Sequence, residues 1–192
     1  MKLRARAEAI RQAKEYLVKK PVYLDTETTG TGPNAEVVEI GITDHDGSVL
    51  VDTLVKARGK IEPGAQRVHK ITAEMLAEAP SWQDVWPQVE AALQGRYVGV
   101  YNLDFDVRMM QQSHTRSWMQ WRQPDANFFC VMKLYAKFYG QWNARRGSYK
   151  WQSLDQAGKQ CQLTLPNAHR AVDDTLLTRA VLHFMANSKT ID

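Results

Sequence analysis

Asp25 and Glu27 stand two residues apart at the end of the short apolar run Val22-Tyr23-Leu24. Side chains alternate between faces along a strand, so both carboxylates share one face while Thr26 points to the other. Neighbouring carboxylates repel near neutral pH unless one takes a proton or a cation sits between them. An oxygen-only cluster without cysteine suits Mg²⁺ or Mn²⁺ better than zinc. Two further segments carry related chemistry. Asn102-Leu103-Asp104-Phe105-Asp106 lies where a buried strand is expected to give way to a helix, the place where an α/β sheet collects its functional groups. His169-Arg170-Ala171-Val172-Asp173-Asp174 opens the last expected helix, with an imidazole just outside and carboxylates in the first turn. Taken singly, each has a bland role as well: Asp106 and Asp174 are favourable acids in a first helical turn, and His169 suits a surface or capping histidine.

These groups need elements to position them. Residues 1–20 read as an amphipathic helix that docks on the domain: Leu3, Ala7, Ile10, Ala13 and Leu17 recur at helical spacing in a charged segment, and Pro21 ends it. Strands are expected at 22–24 running into Asp25, at 36–43 and at 49–55. The last two are rich in β-branched residues and separated by Asp46-Gly47, a tight-turn signal, so the three strands form a meander. Pro63-Gly64 marks a loop. Short helices begin after Thr72 and Ser81, both good N-caps, and Pro87 should kink or restart the second. Residues 97–102 read as a buried strand; helices follow from Phe105, from about Val131, from Ser153 and over 171–186. Antiparallel strands first and α/β crossovers later predict an α/β fold: a central mixed sheet, meander then parallel strands, flanked by helices.

The chain of 192 residues is sized for one domain, and 44% hydrophobic with 24% charged residues exclude collagen-like and wholly disordered readings. No apolar run approaches the ~20 residues of a membrane span, and the basic first twenty residues lack the apolar stretch of a secretory leader. Cys130 and Cys161 lie far apart and form no CxxC pattern, which supports neither a disulfide framework nor a zinc-thiolate site and makes a cytoplasmic location the expectation. The net charge of +4 hints at a polyanionic partner. Its distribution says more: residues 126–154 contain no Asp or Glu, while Lys133, Lys137, Arg145, Arg146 and Lys150 lie among Phe138, Tyr139, Trp142, Tyr149 and Trp151. Single-stranded nucleic acid needs such a surface, cations for phosphates and rings for bases. A solvated helix with its aromatics in the core is the other reading. Trp82 and Trp86, at i and i+4, are expected to face the core.

Together the three acidic segments resemble the signature of the DEDDh (DnaQ-like) 3′-to-5′ exonucleases. Asp25-Thr26-Glu27-Thr28-Thr29-Gly30 matches the first motif without a substitution; Asn102, Phe105 and Asp106 match the second; His169 and Asp174 match the third at His-x4-Asp spacing. Val68-His69-Lys70-Ile71-Thr72 resembles a further family element, and the likeness runs in order from Val22 to Phe184. It implies a ribonuclease H-like fold, in agreement with the order of elements, as one domain over 21–192 behind a helical extension over 1–20. It also implies that Asp25, Glu27, Asp106 and Asp174 bind two divalent metal ions, Mg²⁺ or Mn²⁺, with His169 as general base. Asp174 is chosen over Asp173 on family spacing alone. Thr28, Thr29, His69, Asn102 and Phe105 would lie beside the terminal nucleotide, and Arg145 and Arg146 in a strand-binding surface.

Tyr101 stands where the family often has His, and Leu103 where it often has a small residue, departures that bear on pocket shape. The implied reaction releases nucleoside 5′-monophosphates from the 3′ end of single-stranded DNA or RNA. A DNA proofreading or repair role is favoured over RNA 3′-end trimming or oligonucleotide degradation, with a polymerase or processing complex as a partner in trans left open. The alternative from another class is a nucleic-acid-binding subunit that keeps the fold without turnover; the five intact residues argue against it. Gln162-Leu163-Thr164-Leu165-Pro166 resembles the peptide by which polymerase partners bind the sliding clamp, but Leu163 and Leu165 are expected to be buried in the loop before the histidine motif.

Overall fold

A computed structural model describes residues 2–165 and 169–189. Helix α1 (Lys2–Val18) leads into strands β1 (Val22–Thr28), β2 (Val37–Thr43) and β3 (Val49–Leu54). Helices α2 (Pro63–His69), α3 (Ala73–Leu76) and α4 (Trp82–Leu93) precede β4 (Arg96–Val100), α5 (Leu103–Arg116), β5 (Ala126–Cys130) and α6 (Val131–Tyr139). A small hairpin of β6 (Trp142–Asn143) and β7 (Ser148–Tyr149) comes next, then α7 (Leu154–Gln160) and α8 (Ala171–Asn187). The main sheet runs β3-β2-β1-β4-β5, with β1, β2 and β3 antiparallel and β1, β4 and β5 parallel. This is the mixed sheet that the element order predicts.

Strand β1 sits at the centre, and Val22, Tyr23 and Leu24 are all fully buried because helices cover both faces. The period of two divides them. Tyr23 joins a core cluster with residues of α1, α6, α7 and α8, whereas Val22 and Leu24 join another with residues of α4 and α5. Along the same strand, odd positions therefore face the α8 side and even positions the α5 side.

The apolar stripe of α1 is part of the first cluster: Ala9, Ile10 and Ala13 are buried against α6 and α8, and Tyr16 stacks on Phe129 with centroids 3.8 Å apart. Ser81 caps α4 in a reciprocal capping box with Asp84. No restart occurs at Pro87: one helix runs from Trp82 to Leu93. A buried face of Trp82, Val85, Trp86, Val89 and Leu93 outweighs the ~3 kcal/mol that an interior proline costs a helix. Both tryptophans face the core, as their spacing predicts. Pro63-Gly64 does not form a loop but starts α2, with proline in the first turn, where its missing N–H costs no helical bond. Strand β5 and the β6–β7 hairpin are additions to the expected elements. Among the described residues no helix is long and apolar enough to cross a membrane.

Candidate active site

The alternation of β1 builds the site from its C-terminal end. Asp25 and Glu27 are half-buried on the α8 side of the strand, and buried Thr26 turns toward α5. There its Oγ1 donates to Asp106 Oδ1 at 2.7 Å and its backbone N–H donates to the same oxygen at 3.1 Å. Asp106 enters in the first turn of α5, Asp174 in the first turn of α8, and both are buried. A cleft of about 320 Å³ is lined by Asp25, Glu27, Asp106, His169 and Asp174 together, with Asn102 and Phe105 on its wall. Asp173, the neighbouring candidate, is half-buried and outside this lining. Glu27, His169 and Asp174 each bring one potential ligating atom within 4.8 Å of the others.

Burial dominates the electrostatics. It raises the Asp25 carboxyl well above its ordinary range, and the charges of Asp106, Asp174 and Glu27 add to the shift. Glu27 is pushed up to about 8 by burial and then by Asp174 and Glu39. Asp106 rises to about 7 through burial, opposed by its two hydrogen bonds from Thr26, and Asp174 to about 7 through burial and the neighbouring Asp173. Among the described residues no Lys or Arg lines the cleft to balance these acids. A hard divalent cation fits this donor set: four carboxylates and an imidazole gathered in one lining, where the charge of Arg170, itself bonded to Glu39, only partly offsets the burial of Glu27.

The other expected contacts divide. Thr28 and His69 line a second cavity of about 360 Å³ that adjoins the first at Thr26, Glu27 and Phe105. His69 Nδ1 accepts from the Ile71 N–H at 3.0 Å, which leaves Nε2 as the donor to the Thr28 carbonyl at 3.1 Å. Burial lowers its pKa, and it pins the end of β1 to the turn after α2. Thr29 is not part of either lining; its hydroxyl accepts from the Glu36 N–H at 3.0 Å and its side chain is buried. Arg145 and Arg146 lie in the turn between β6 and β7, outside both cavities. Leu163 packs partly against the core, but Leu165 is 43% exposed, contrary to the burial expected of it, and Pro166 of the clamp-like string lies outside the described residues.

The sequence profile of the RNase_T family, described as exonuclease, matches residues 22–182. The chain belongs to the DnaQ-like exonuclease family. The uncharacterized exonuclease CP81 of Escherichia phage 186 is 33% identical over 91% of this chain and 92% of its own. The DNA polymerase III PolC-type protein of Thermotoga maritima is 30% identical over 88% of this chain, which spans 12% of that longer protein. Among solved structures, exonuclease X in complex with 5′ overhanging duplex DNA superposes with a TM-score of 0.64 at 26% identity, covering 87% of this chain and 92% of that one. E. coli exonuclease I in complex with a dA16 oligonucleotide shares the fold, with a TM-score of 0.68 at 17% identity over 84% of this chain and 39% of that one. The fold is accordingly ribonuclease H-like, and the chain is a 3′-to-5′ exonuclease.

Three features of this exonuclease depend on tertiary contacts. Glu39, paired in register with Glu27 across β1 and β2, is buried; its Oε1 accepts from Arg170 Nε at 2.8 Å and also from the guanidinium Nη2, and its Oε2 accepts from the Ala171 N–H at 2.8 Å. These bonds hold the two residues that follow His169, whose φ of 49° is a left-handed conformation that costs a non-glycine residue of order 1–3 kcal/mol. The signal was a lone acid inside the β-branched run of β2. Gly41 lets α8 settle on the sheet: a Cβ there would lie 2.6 Å from the Ala171 carbonyl carbon and the Val172 nitrogen. Tyr101, the departure from the family pattern, is buried and donates from its hydroxyl to the carbonyls of Gln152 at 3.0 Å and Ser153 at 3.1 Å. It thereby fixes the start of α7, and Ser153 and Asp155 form part of the cleft wall.

Proposed function

We propose that the exonuclease removes nucleoside 5′-monophosphates from the 3′ end of single-stranded DNA. The observation that carries this reading is the convergence of Asp25, Glu27, Asp106, His169 and Asp174, from three separate segments, on one cleft whose described lining holds no Lys or Arg. Asp25, Glu27, Asp106 and Asp174 would hold two divalent ions, Mg²⁺ or Mn²⁺. Such ions lower the pKa of water and offset the charge on a scissile phosphate. His169, on the wall of the same cleft, would take the proton of the attacking water at an imidazole nitrogen. Thr26 holds Asp106 in one orientation, and Glu39 holds the segment that carries His169. Phe105, which lines both cavities, would offer a ring face to the terminal nucleotide, and Asn102, on the wall of the first, a carboxamide.

DNA is favoured over RNA because exonuclease X, similar over nearly its whole length, was captured with DNA. Likeness to a segment of a DNA polymerase III PolC-type protein supports work beside a polymerase at a replication or repair end. Two free thiols, Cys130 and Cys161, suit a reducing cytoplasm. The test is a gel time course on 5′-labelled DNA and RNA of one sequence, with Mg²⁺, Mn²⁺ or EDTA, beside the Asp106→Ala protein. The expected result is a metal-dependent ladder from the 3′ end, faster on DNA and absent in the variant. A ladder in EDTA, or one undiminished in the variant, refutes the site; faster loss of RNA refutes the substrate.

A further inference from the structure

The β6–β7 hairpin takes no part in the chemistry described above, yet it is built for contact. Trp142 pairs with Tyr149 and Asn143 with Ser148, and the Lys150 N–H donates to the Gln141 carbonyl at 2.8 Å to close the open end. At the tip, Asn143 Oδ1 accepts from the backbone N–H groups of Arg145 at 3.1 Å and Arg146 at 3.3 Å, and Gly147 completes the turn at a φ of 60°. Both arginines are exposed, and among the described residues no carboxylate pairs with Arg145, Arg146 or Lys150.

Large rings accompany these cations. Trp142 is 45% and Trp151 59% exposed. The Trp142 indole meets Tyr149 edge to face at 5.2 Å, which holds that ring in place rather than burying it. Arg146, Tyr149, Lys150 and Trp151 line a groove of about 410 Å³ on the hairpin. A groove that combines ring faces with unpaired cations matches a nucleic-acid strand, whose bases stack while its phosphates take the charge. The hairpin is also tied to the cleft, since Tyr101 grips Gln152 and Ser153 immediately beyond Trp151.

We propose that this hairpin is an arm that grips the substrate strand upstream of its scissile 3′ end, with phosphates on Arg145, Arg146 and Lys150 and a base on Trp151. The proposal deepens the exonuclease reading and rests on it for the direction of the strand. Its reach sets a length. At ~3.3 Å per residue, the chain from Ser153 back to Arg146 extends at most ~23 Å. That corresponds to about seven nucleotides of a stacked strand at ~3.4 Å each. Affinity should therefore climb with oligonucleotide length and level off at no more than about seven nucleotides.

The experiment measures fluorescence anisotropy of labelled oligothymidylates of three and twelve nucleotides in EDTA, for the parent, an Arg145→Glu/Arg146→Glu protein and a Trp151→Ala protein. Both variants are expected to weaken 12-mer binding by roughly 5-fold or more while moving 3-mer binding by less than about twofold. The arginine variant should also lower the slope of log affinity against log salt by about 1.4, ~0.7 for each lost phosphate contact. The proposal is overturned if the parent does not prefer the 12-mer, if both variants keep 12-mer affinity within about twofold, or if 3-mer and 12-mer weaken equally. The same parent protein given Mn²⁺ and 5′-labelled 12-mer reports separately on the nuclease: tight binding without shortening sinks the exonuclease reading and leaves the arm standing.

Discussion

Replacing Gly41 with alanine tests whether the sheet, through one missing side chain, sets the position of the third acidic segment. The new Cβ would lie 2.6 Å from the Ala171 carbonyl carbon and from the Val172 nitrogen, and 3.0 Å from the Ala171 Cβ. Carbon atoms pack best at about 3.5–4.0 Å, so a gap of ~1 Å must open. The obstructing atoms are backbone of the first turn of α8, which cannot swing aside as the end of a side chain can. That turn carries Asp174, and the Ala171 N–H and Arg170 are bonded to Glu39 on the same strand. Overpacking costs ~1–3 kcal/mol, and a rigid backbone obstacle places this substitution near the top of that range. For a chain of this size, ~3 kcal/mol lowers the melting temperature by about 6–12 °C. A ~1 Å shift of Asp174 and His169 should cut turnover by about 10²-fold even where the protein stays folded. Gly64→Ala, on the lining of the second cavity, is the control for stability alone: nothing lies within 4 Å of its added Cβ, and a helical position there should gain ~0.4–1 kcal/mol. Differential scanning fluorimetry and the oligonucleotide assay read both effects. A Gly41→Ala protein within about 1 °C of the parent and within about twofold of its rate would refute the reasoning.

Other substitutions have separate readouts. Asp25→Ala, Asp106→Ala and Asp174→Ala should each abolish metal-dependent hydrolysis, and His169→Ala should lower kcat by ~10²-fold or more; parental rates in any of the three aspartate variants contradict the ligand assignment. Ile10→Ala should destabilise by ~2–5 kcal/mol in urea unfolding, because α1 contributes this fully buried side chain to the core; a loss below ~1 kcal/mol would make the helix a detachable appendage. Burial pushes Glu27 up to about 8 and Asp106 and Asp174 up to about 7. The native chain thus retains protons that the unfolded chain releases, a stabilisation present in full below the ordinary carboxylate range and lost as pH rises through about 7 to 8. Melting of the metal-free protein should therefore fall from about pH 5 to about pH 8.5, and Mn²⁺ should raise it more at the upper end; a flat profile with an equal Mn²⁺ shift at both ends would rule this out.

What sequence determined by itself is local. The alternation of β1 already places Asp25 and Glu27 on one face and Thr26 on the other, because a period of two needs no knowledge of the rest of the chain. Ser81 announces the start of α4, and Asp46-Gly47 the turn between β2 and β3, since caps and tight turns are satisfied within four residues. Pattern fails where pairing or packing supplies the order. Strand β5 is an edge strand whose register comes from β4, and the continuity of α4 through Pro87 comes from the face it buries. Asp173 and Asp174 are indistinguishable by type and adjacent in sequence; only the seat of α8 on the sheet turns the second into the cleft. That seat depends on a glycine in β2, and the histidine segment on a buried glutamate two residues before it, approaches between segments more than a hundred residues apart. Short-range preferences choose the elements and their faces, whereas the distances that bring four acids and a histidine together exist only once the helices have closed on the sheet.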